Sequence, residues 1–336
     1  MGVKISELVD KRNLKWEELN GKSLAIDASN VLFQFTSSIR QADGTPLMDS
    51  NGYVTSHLVG LFSRVPNLMQ KGITPIFVFD GEAPLLKEKT RVIRRGLKEK
   101  AQERYTKALL EEGEEAAGRY SKQFSYVTGD MFDESKELLL AMGLPVIQAP
   151  SEAEAQCAYM AQKKIVWASV SQDYDSLLFG APRLIFNLTL SQKRKITGGK
   201  HVLIAPYLVE LKGVLEKLQL TQDQLIVLGI LVGGDYNPGG IKGIGPRKAL
   251  KLLHTEKDFG KIFSSLETDF DWKEIFDTYK NIPVEDVVLR RGKIDEDAIK
   301  DILVDRHDFT EERVEQTLGK IKKAVPDEKS SLKKWF

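Results

Sequence analysis

Cysteine is nearly absent from this sequence, with Cys157 the single example in 336 residues. One cysteine cannot close an internal disulfide, so the fold must rest on packing, and a reducing, cytoplasmic compartment is expected. Histidine is almost as scarce: His57, His201, His254 and His307 are scattered without zinc-ligand spacing, and no Ser-His-Asp arrangement is visible. No apolar run approaches the ~20 residues that span a bilayer. The N-terminal segment is mixed and charged, unlike a signal peptide. Its start, MGVKIS, does fit the myristoylation pattern M-G-x-x-x-[ST], a short pattern that chance often supplies. Neither sign of charge dominates: 49 Lys and Arg face 48 Asp and Glu, leaving +1. Overall charge therefore does not announce a nucleic-acid binder, and local patches must carry any such case. Internal repeats and low-complexity tracts are also lacking.

What is present suits a sizeable core, since 42% of residues are apolar, enough for one large α/β domain or two modest ones. Apolar β-like runs occur at Lys22–Asp27 (KSLAID), Pro75–Asp80 (PIFVFD), Leu144–Gln148 (LPVIQ), Val166–Ser171 (VWASVS) and Arg183–Asn187 (RLIFN). Between them lie helical patterns: ASNVLFQFTSSIRQ after Asp27, His57–Lys71 with Pro66 expected to kink or divide it, and Asp133–Met142 ended by Gly143. Asp43-Gly44 and Asn51-Gly52 mark turns. From Pro206 onward the chain reads as mostly helical. The alternation predicts an α/β fold with parallel pairing of its strands.

The acids stand out next. Asp27 and Asp80 end strand-like runs, and Asp173 follows one within two residues. Glu152/Glu154 and Asp173/Asp175 are pairs spaced by two, and Asp235 sits in the glycine-rich LVGGDYNPGG. Parallel strands would put their carboxyl ends on one edge, where open α/β sheets bind ligands. A single Asp after a strand is most often a turn or helix cap. Ser151 with Glu154 also makes an S-x-x-E box that would cap the following helix. Repetition is what favours a shared site. Crowded carboxylates repel and would take up protons without a cation, and oxygen-only ligands suit Mg²⁺ or Mn²⁺. Two such ions can serve an in-line phosphoryl displacement by water.

Two stretches point to nucleic acid. Lys87–Lys107 carries nine Lys or Arg against three Asp or Glu, then turns acidic through LLEEGEEAAGRY. Polar nearly all round, it reads as a helical excursion from the domain, though a solvated charged helix is the ordinary explanation for such a run. Ile241–Leu253 (IKGIGPRKALKLL) places Gly243 and Gly245 before Pro246, with Arg247, Lys248 and Lys251 beyond. Exposed amides at such a turn can hold a phosphate without reading base sequence. An ordinary glycine turn into an amphipathic helix is the alternative.

These motifs together resemble the flap endonucleases, structure-specific 5′ nucleases of replication and repair, in their archaeal form. AIDASNVLFQF, DGTPLMDSNGYVTSHLVGLFSR, VFDGEAP, APSEAEAQCAYM, SQDYDSLLFG and GGDYNPGGIKGIGPRKAL occur in order, and the resemblance covers essentially the whole chain. It implies a nuclease core built on a mixed, mainly parallel sheet flanked by helices, with a helical arch and a helix–two-turn–helix module. The implied units are 1–98 and 126–258 for the nuclease, 99–125 for the arch, 259–327 for a C-terminal helical region and 328–336 for a tail. By the resemblance, Asp27, Asp80, Glu152 and Glu154 would hold one Mg²⁺, and Asp173, Asp175 and Asp235 the other. Lys87 and Arg94 would steer the scissile phosphate, and Phe33 would stack on the displaced nucleotide or simply pack in the core. Gly2 would sit at the site as the processed N-terminus. Thr55 and Arg64 would contact the upstream duplex or 3′ flap, and the glycine hairpin would take K⁺ at a DNA phosphate. Leu332, Trp335 and Phe336 resemble the motif that binds the sliding clamp PCNA, with Lys329 where Gln is usual, unless the aromatics tuck into the protein's own surface. The implied protein is a monomeric, nucleoid-associated 5′-flap endonuclease and 5′–3′ exonuclease. Rival readings are a bubble or junction nuclease, a catalytically silent branched-DNA binder, and a phosphatase of small substrates.

Overall fold

The computed structural model describes residues 2–41, 44–111, 127–188, 193–195 and 201–324. Its strands, in chain order, are β1 (Arg12–Asn13), β2 (Ser23–Asp27), β3 (Thr74–Phe79), β4 (Val146–Gln148), β5 (Ala168–Val170), β6 (Arg183–Phe186), β7 (Lys193–Lys195), β8 (His201–Leu203) and β9 (Tyr207–Glu210). Seven of them form one sheet in the order β1-β9-β6-β5-β2-β3-β4, while β7 and β8 pair separately. β6, β5, β2, β3 and β4 run parallel, and β9 and β1 close one side antiparallel. The expected mixed, mainly parallel sheet is present.

The central strands read as unbroken apolar runs because both faces are covered. Leu24, Ile26, Phe77 and Phe79 enter one buried cluster, whereas Ala25, Ile76 and Val78 enter another. That split follows the period of two along a strand. The larger face is covered by α1 (Ala28–Ser38), α2 (Ser56–Gln70) and, after α3 (Glu88–Glu111), by α4 (Gly129–Ala141). The other face receives α5 (Ala153–Gln162). Beyond it come the short α6 (Asp175–Leu178), α7 (Leu211–Leu218), the buried α8 (Gln222–Val232), α9 (Pro246–Thr255), α10 (Phe259–Ser264), α11 (Trp272–Asn281), α12 (Glu296–Lys300) and α13 (Glu311–Ala324). Among the described residues no helix is long and apolar enough to cross a membrane.

Several expectations change here. α2 continues through Pro66 and is not divided. α4 starts four residues before Asp133, because Thr128 Oγ1 accepts the Met131 amide at 3.3 Å and caps an earlier turn. The region after Pro206 opens as a strand rather than a helix. In β9, Leu208 and Val209 point into different clusters, a two-residue period hidden in front of the helical KGVLEKL. α3 runs unbroken across residue 98, where a boundary was expected, and the arch beyond Glu111 lies outside the described residues, as does Asp43.

Thr128→Ala should cost about 1 kcal/mol through the lost cap and lower Tm by roughly 1–2 °C in a chain of 336 residues. Thermal melting checks this, and an unchanged Tm would remove Thr128 as the determinant of that helix start.

Candidate active site

Strand order determines where the acids meet. From β2 the chain steps outward through β3 to β4, then returns to β5 on the other side of β2 and continues to β6. The order therefore reverses between β2 and β5, and the crevice beyond their carboxyl ends is the expected ligand position. Asp27 ends β2 and Asp173 follows β5 across this gap. Asn30 joins them: its amide donates to Asp27 Oδ1 at 3.0 Å, and its side chain reaches Asp173 Oδ2 at 3.4 Å.

Asp80 follows β3 and grips the next element along the edge. Its Oδ1 accepts the Ala153 amide at 2.8 Å, at the first turn of α5, and Oδ2 accepts from the Ser29 hydroxyl. The S-x-x-E box is corrected by this geometry. The cap position of α5 is Glu152, Ser151 turns away to donate to the Glu82 carbonyl at 2.9 Å, and Glu154 instead accepts from Ser171 Oγ at 2.7 Å. Glu154 is therefore not spent on capping and faces the other acids.

The N-terminus reaches the same place. The Gly2 amide donates to Asp173 Oδ1 at 3.2 Å and the Val3 amide to Asp175 Oδ1 at 2.8 Å. A Cβ on Gly2 would lie 2.6 Å from Asp173 Cβ, so only glycine permits this approach. On the far side, Lys87 Nζ stands 2.5 Å from Glu152 Oε1 and 3.4 Å from Asp235 Oδ2. Tyr236 donates its hydroxyl to Glu152 Oε2 at 3.0 Å, and Thr90, on the first turn of α3, donates to the Asp235 carbonyl. The foot of the basic helix is thus joined to the carboxylates.

Burial and mutual repulsion govern the charge state. Burial, then Asp80 and Asp173, hold the Asp27 carboxyl well above the usual range. Burial, then Asp175, Asp27 and Asp173, do the same to Glu154. Asp175 is pushed up to about 7 by burial and by Asp235. Burial alone would lower the Lys87 ammonium, but Glu152 and Asp235 more than offset it and hold it charged. These oxygen donors, carrying more negative charge than they can keep, fit a hard divalent cation. Among the described residues, however, no group of three or more His, Cys, Asp or Glu side chains forms a ready-made metal cage.

The remaining described candidates take no part in the contacts above. Arg94 is within α3, and its side chain is outside the described residues. Phe33 is 37% exposed on α1. Thr55 is buried ahead of α2, and the Arg64 guanidinium lies 5.1 Å over the Phe35 ring. Gly243 has φ +79, Gly245 is the cap of α9 and Pro246 opens it, as the hairpin required. Arg247, Lys248 and Lys251 are exposed there, with Arg247 3.4 Å from Glu7 and Lys248 Nζ 3.4 Å from the Gly243 carbonyl. Leu332, Trp335 and Phe336 are outside the described residues. Sequence reasoning missed Ser29, Asn30, Thr90, Ser171 and Tyr236. Four of these lie within three residues of a singled-out acid, and that proximity was the available signal.

Comparison with known proteins defines the class first. Residues 1–101 match the XPG N-terminal domain and residues 143–235 the XPG I-region, so the sheet edge described above belongs to an XPG-type nuclease. The chain is 50% identical to flap endonuclease 1 of Pyrococcus furiosus, over 100% of this chain and 99% of that protein. The solved structure of flap endonuclease-1 from Methanococcus jannaschii superposes with a TM-score of 0.77 at 40% identity, covering 96% of this chain and 99% of that one. The catalytic core of Rad2 in complex with DNA substrate matches at 0.65 and 26% identity, covering 94% and 97%. The chain belongs to the flap endonuclease 1 family.

The raised Asp175 gives a signed expectation. A carboxyl whose folded pKa lies above its unfolded value binds more protons when folded, so its contribution to stability falls as pH rises from about 4 to about 7. Asp175→Asn keeps the acceptor for the Val3 amide and removes the charge. In chelator its Tm should match the wild type near pH 4 and exceed it increasingly up to pH 8. A variant less stable than wild type at pH 8 would contradict the repulsion described here.

Proposed function

We propose that this chain is a divalent-metal-dependent endonuclease that cuts 5′ flaps of branched DNA near the single-strand/duplex junction, in Okazaki-fragment maturation and repair. A 5′–3′ exonuclease activity at the same site belongs to the reading. The observation that carries it is the crowding of Asp27, Glu154 and Asp175 at the switch point, with Lys87 of the basic segment reaching into the same cluster. Membership of the flap endonuclease 1 family supports the same substrate class.

Asp27, Asp80, Glu152 and Glu154 would hold one ion, and Asp173, Asp175 and Asp235 the other. Bound there, Mg²⁺ or Mn²⁺ would neutralise the acids, polarise the scissile phosphate and make water more acidic. The chain's own groups do the rest. Lys87, just ahead of α3 and kept charged by its neighbours, can present its ammonium to the phosphate, with Arg94 further along inside α3. Asn30, Ser29, Ser171 and Tyr236 hold individual carboxylate oxygens, and the Gly2 and Val3 amides hold Asp173 and Asp175. The glycine hairpin with Arg247, Lys248 and Lys251 would grip backbone phosphates without reading sequence, with K⁺ at that turn. Phe33 would stack on the displaced nucleotide, Thr55 and Arg64 would face the upstream duplex, and Leu332, Trp335 and Phe336 would bind the sliding clamp. The protein would act as a monomer.

A cleavage panel of 5′-flap, nicked, bubble and single-stranded DNA, with Mg²⁺ and with chelator, tests the substrate class. Flap DNA should be cut fastest and only with the ion; equal cutting of single strands would contradict the assignment. Asp80→Ala should lose more than the 10–100-fold typical of an outer-shell partner, with flap binding held within a few-fold. Normal cutting by that variant would sink the ligand assignment. Deleting residues 332–336 should abolish stimulation by the clamp and leave basal cutting unchanged; equal loss of both would place the tail in the fold.

A further inference from the structure

Between α11 and α12, residues 282–295 cross the molecule without helix or ladder. The segment is nonetheless firmly attached. Val287 and Leu289 pack on the cluster shared by α5 and the sheet, whereas the intervening Val288 is 79% exposed. Tyr159 donates to Asp286 at 2.8 Å, Arg291 donates to the Thr74 hydroxyl, and the Asp295 amide donates to the Ala141 carbonyl at 2.8 Å. It is a strap laid across α5.

Its tightest fastening is one buried amide. Gln156 is fully enclosed, and its side chain pairs with both backbone groups of Glu285: Nε2 donates to the carbonyl at 2.8 Å, and Oε1 accepts the amide at 3.0 Å. A side chain here completes the bonding that a neighbouring strand would otherwise supply. Gln156 also follows Glu152 by one helical turn, and its own amide donates to the Glu152 carbonyl at 3.1 Å. The helix that leads into this end of the strap reaches the same acid. α11 carries Tyr279, whose ring stands edge-on 4.9 Å from Tyr236, and Tyr236 holds Glu152 Oε2. α11 and the strap therefore both act on the start of α5, one through Tyr236 on Glu152 and one through Gln156.

We propose that Gln156 is a positioning residue for the reaction: by fastening α5 to the 282–295 strap, it fixes where Glu152 and Glu154 stand relative to the acids on the strand ends. The inference rests on the metal-site reading above. Ligand sets tolerate only about 0.5 Å of displacement, so loosening the helix should weaken the ion before it weakens DNA binding.

Gln156→Met keeps the length and removes both hydrogen bonds. In the DNA-free protein, the Mg²⁺ concentration giving half of the Mg²⁺-induced rise in Tm should increase about tenfold, the scale of an outer-shell loss. Cleavage at saturating flap DNA should need a similarly higher Mg²⁺ concentration, with kcat near wild type once the ion saturates and KM for the flap unchanged. Tyr159→Phe, one turn further from the acids, should lower Tm without moving the Mg²⁺ dependence. Mg²⁺ titrations of Gln156→Met that overlay the wild type would overturn the proposal. Should that variant not fold, Glu285→Pro removes the same N–H from the strap side, and an overlay there is equally fatal. A wild type whose Tm ignores Mg²⁺ would bring down the metal-site reading together with this one; a responsive wild type with an unresponsive substitution brings down only this one.

Discussion

Carboxylates crowded at a reversal of strand order are the constraint around which this molecule is built. Between β2 and β5 the chain leaves a crevice in which Asp27 and Asp173 face each other, and β3, α5 and the segment after α8 bring further acids to the same edge. Burial raises the cost of each charge and neighbouring acids raise it again, so Asp27, Glu154 and Asp175 are all held toward their protonated forms. Such an arrangement opposes stability in the isolated chain and is sensible at a site that takes up cations.

The surroundings answer that repulsion with fixed donors. Backbone amides from the N-terminus and from α5, hydroxyls from Ser29, Ser171 and Tyr236, and the Asn30 amide each hold an identified oxygen. Lys87 supplies the compensating charge and ties the foot of α3 to Glu152 and Asp235. The segment implied to handle the single strand and the groups implied to do the chemistry are thus one electrostatic unit. The strap over α5 extends that unit to α11 through Tyr279 and Gln156.

Much of this was legible from sequence, for physical reasons. Strands buried on both faces leave uninterrupted apolar runs, so SLAID and PIFVF were visible and the acids at their ends could be suspected of sharing an edge. The switch point was not visible, because strand order is decided by crossovers that leave no local pattern. Local patterns also misled. Ser151 and Glu154 have the spacing of a capping box, yet the helix caps at Glu152, and Asp80, 73 residues before Ala153, takes its first amide. Tyr207–Glu210 merged into a helical reading because its two-residue period is only four residues long. Nothing local marks Gln156 in the sequence, since its partner lies 129 residues away.

The central claim, that crowding holds these acids protonated until a cation arrives, can be measured without any substrate. Calorimetric titration of the DNA-free protein with Mn²⁺ near pH 6.5, repeated in buffers of different ionisation enthalpy, counts the protons released on binding. Metal binding that deprotonates the raised carboxyls should release protons at pH 6.5, with the share from Asp175 shrinking as pH rises past about 7. Saturable binding with no proton release at pH 6.5, or no saturable binding at all, would contradict the account.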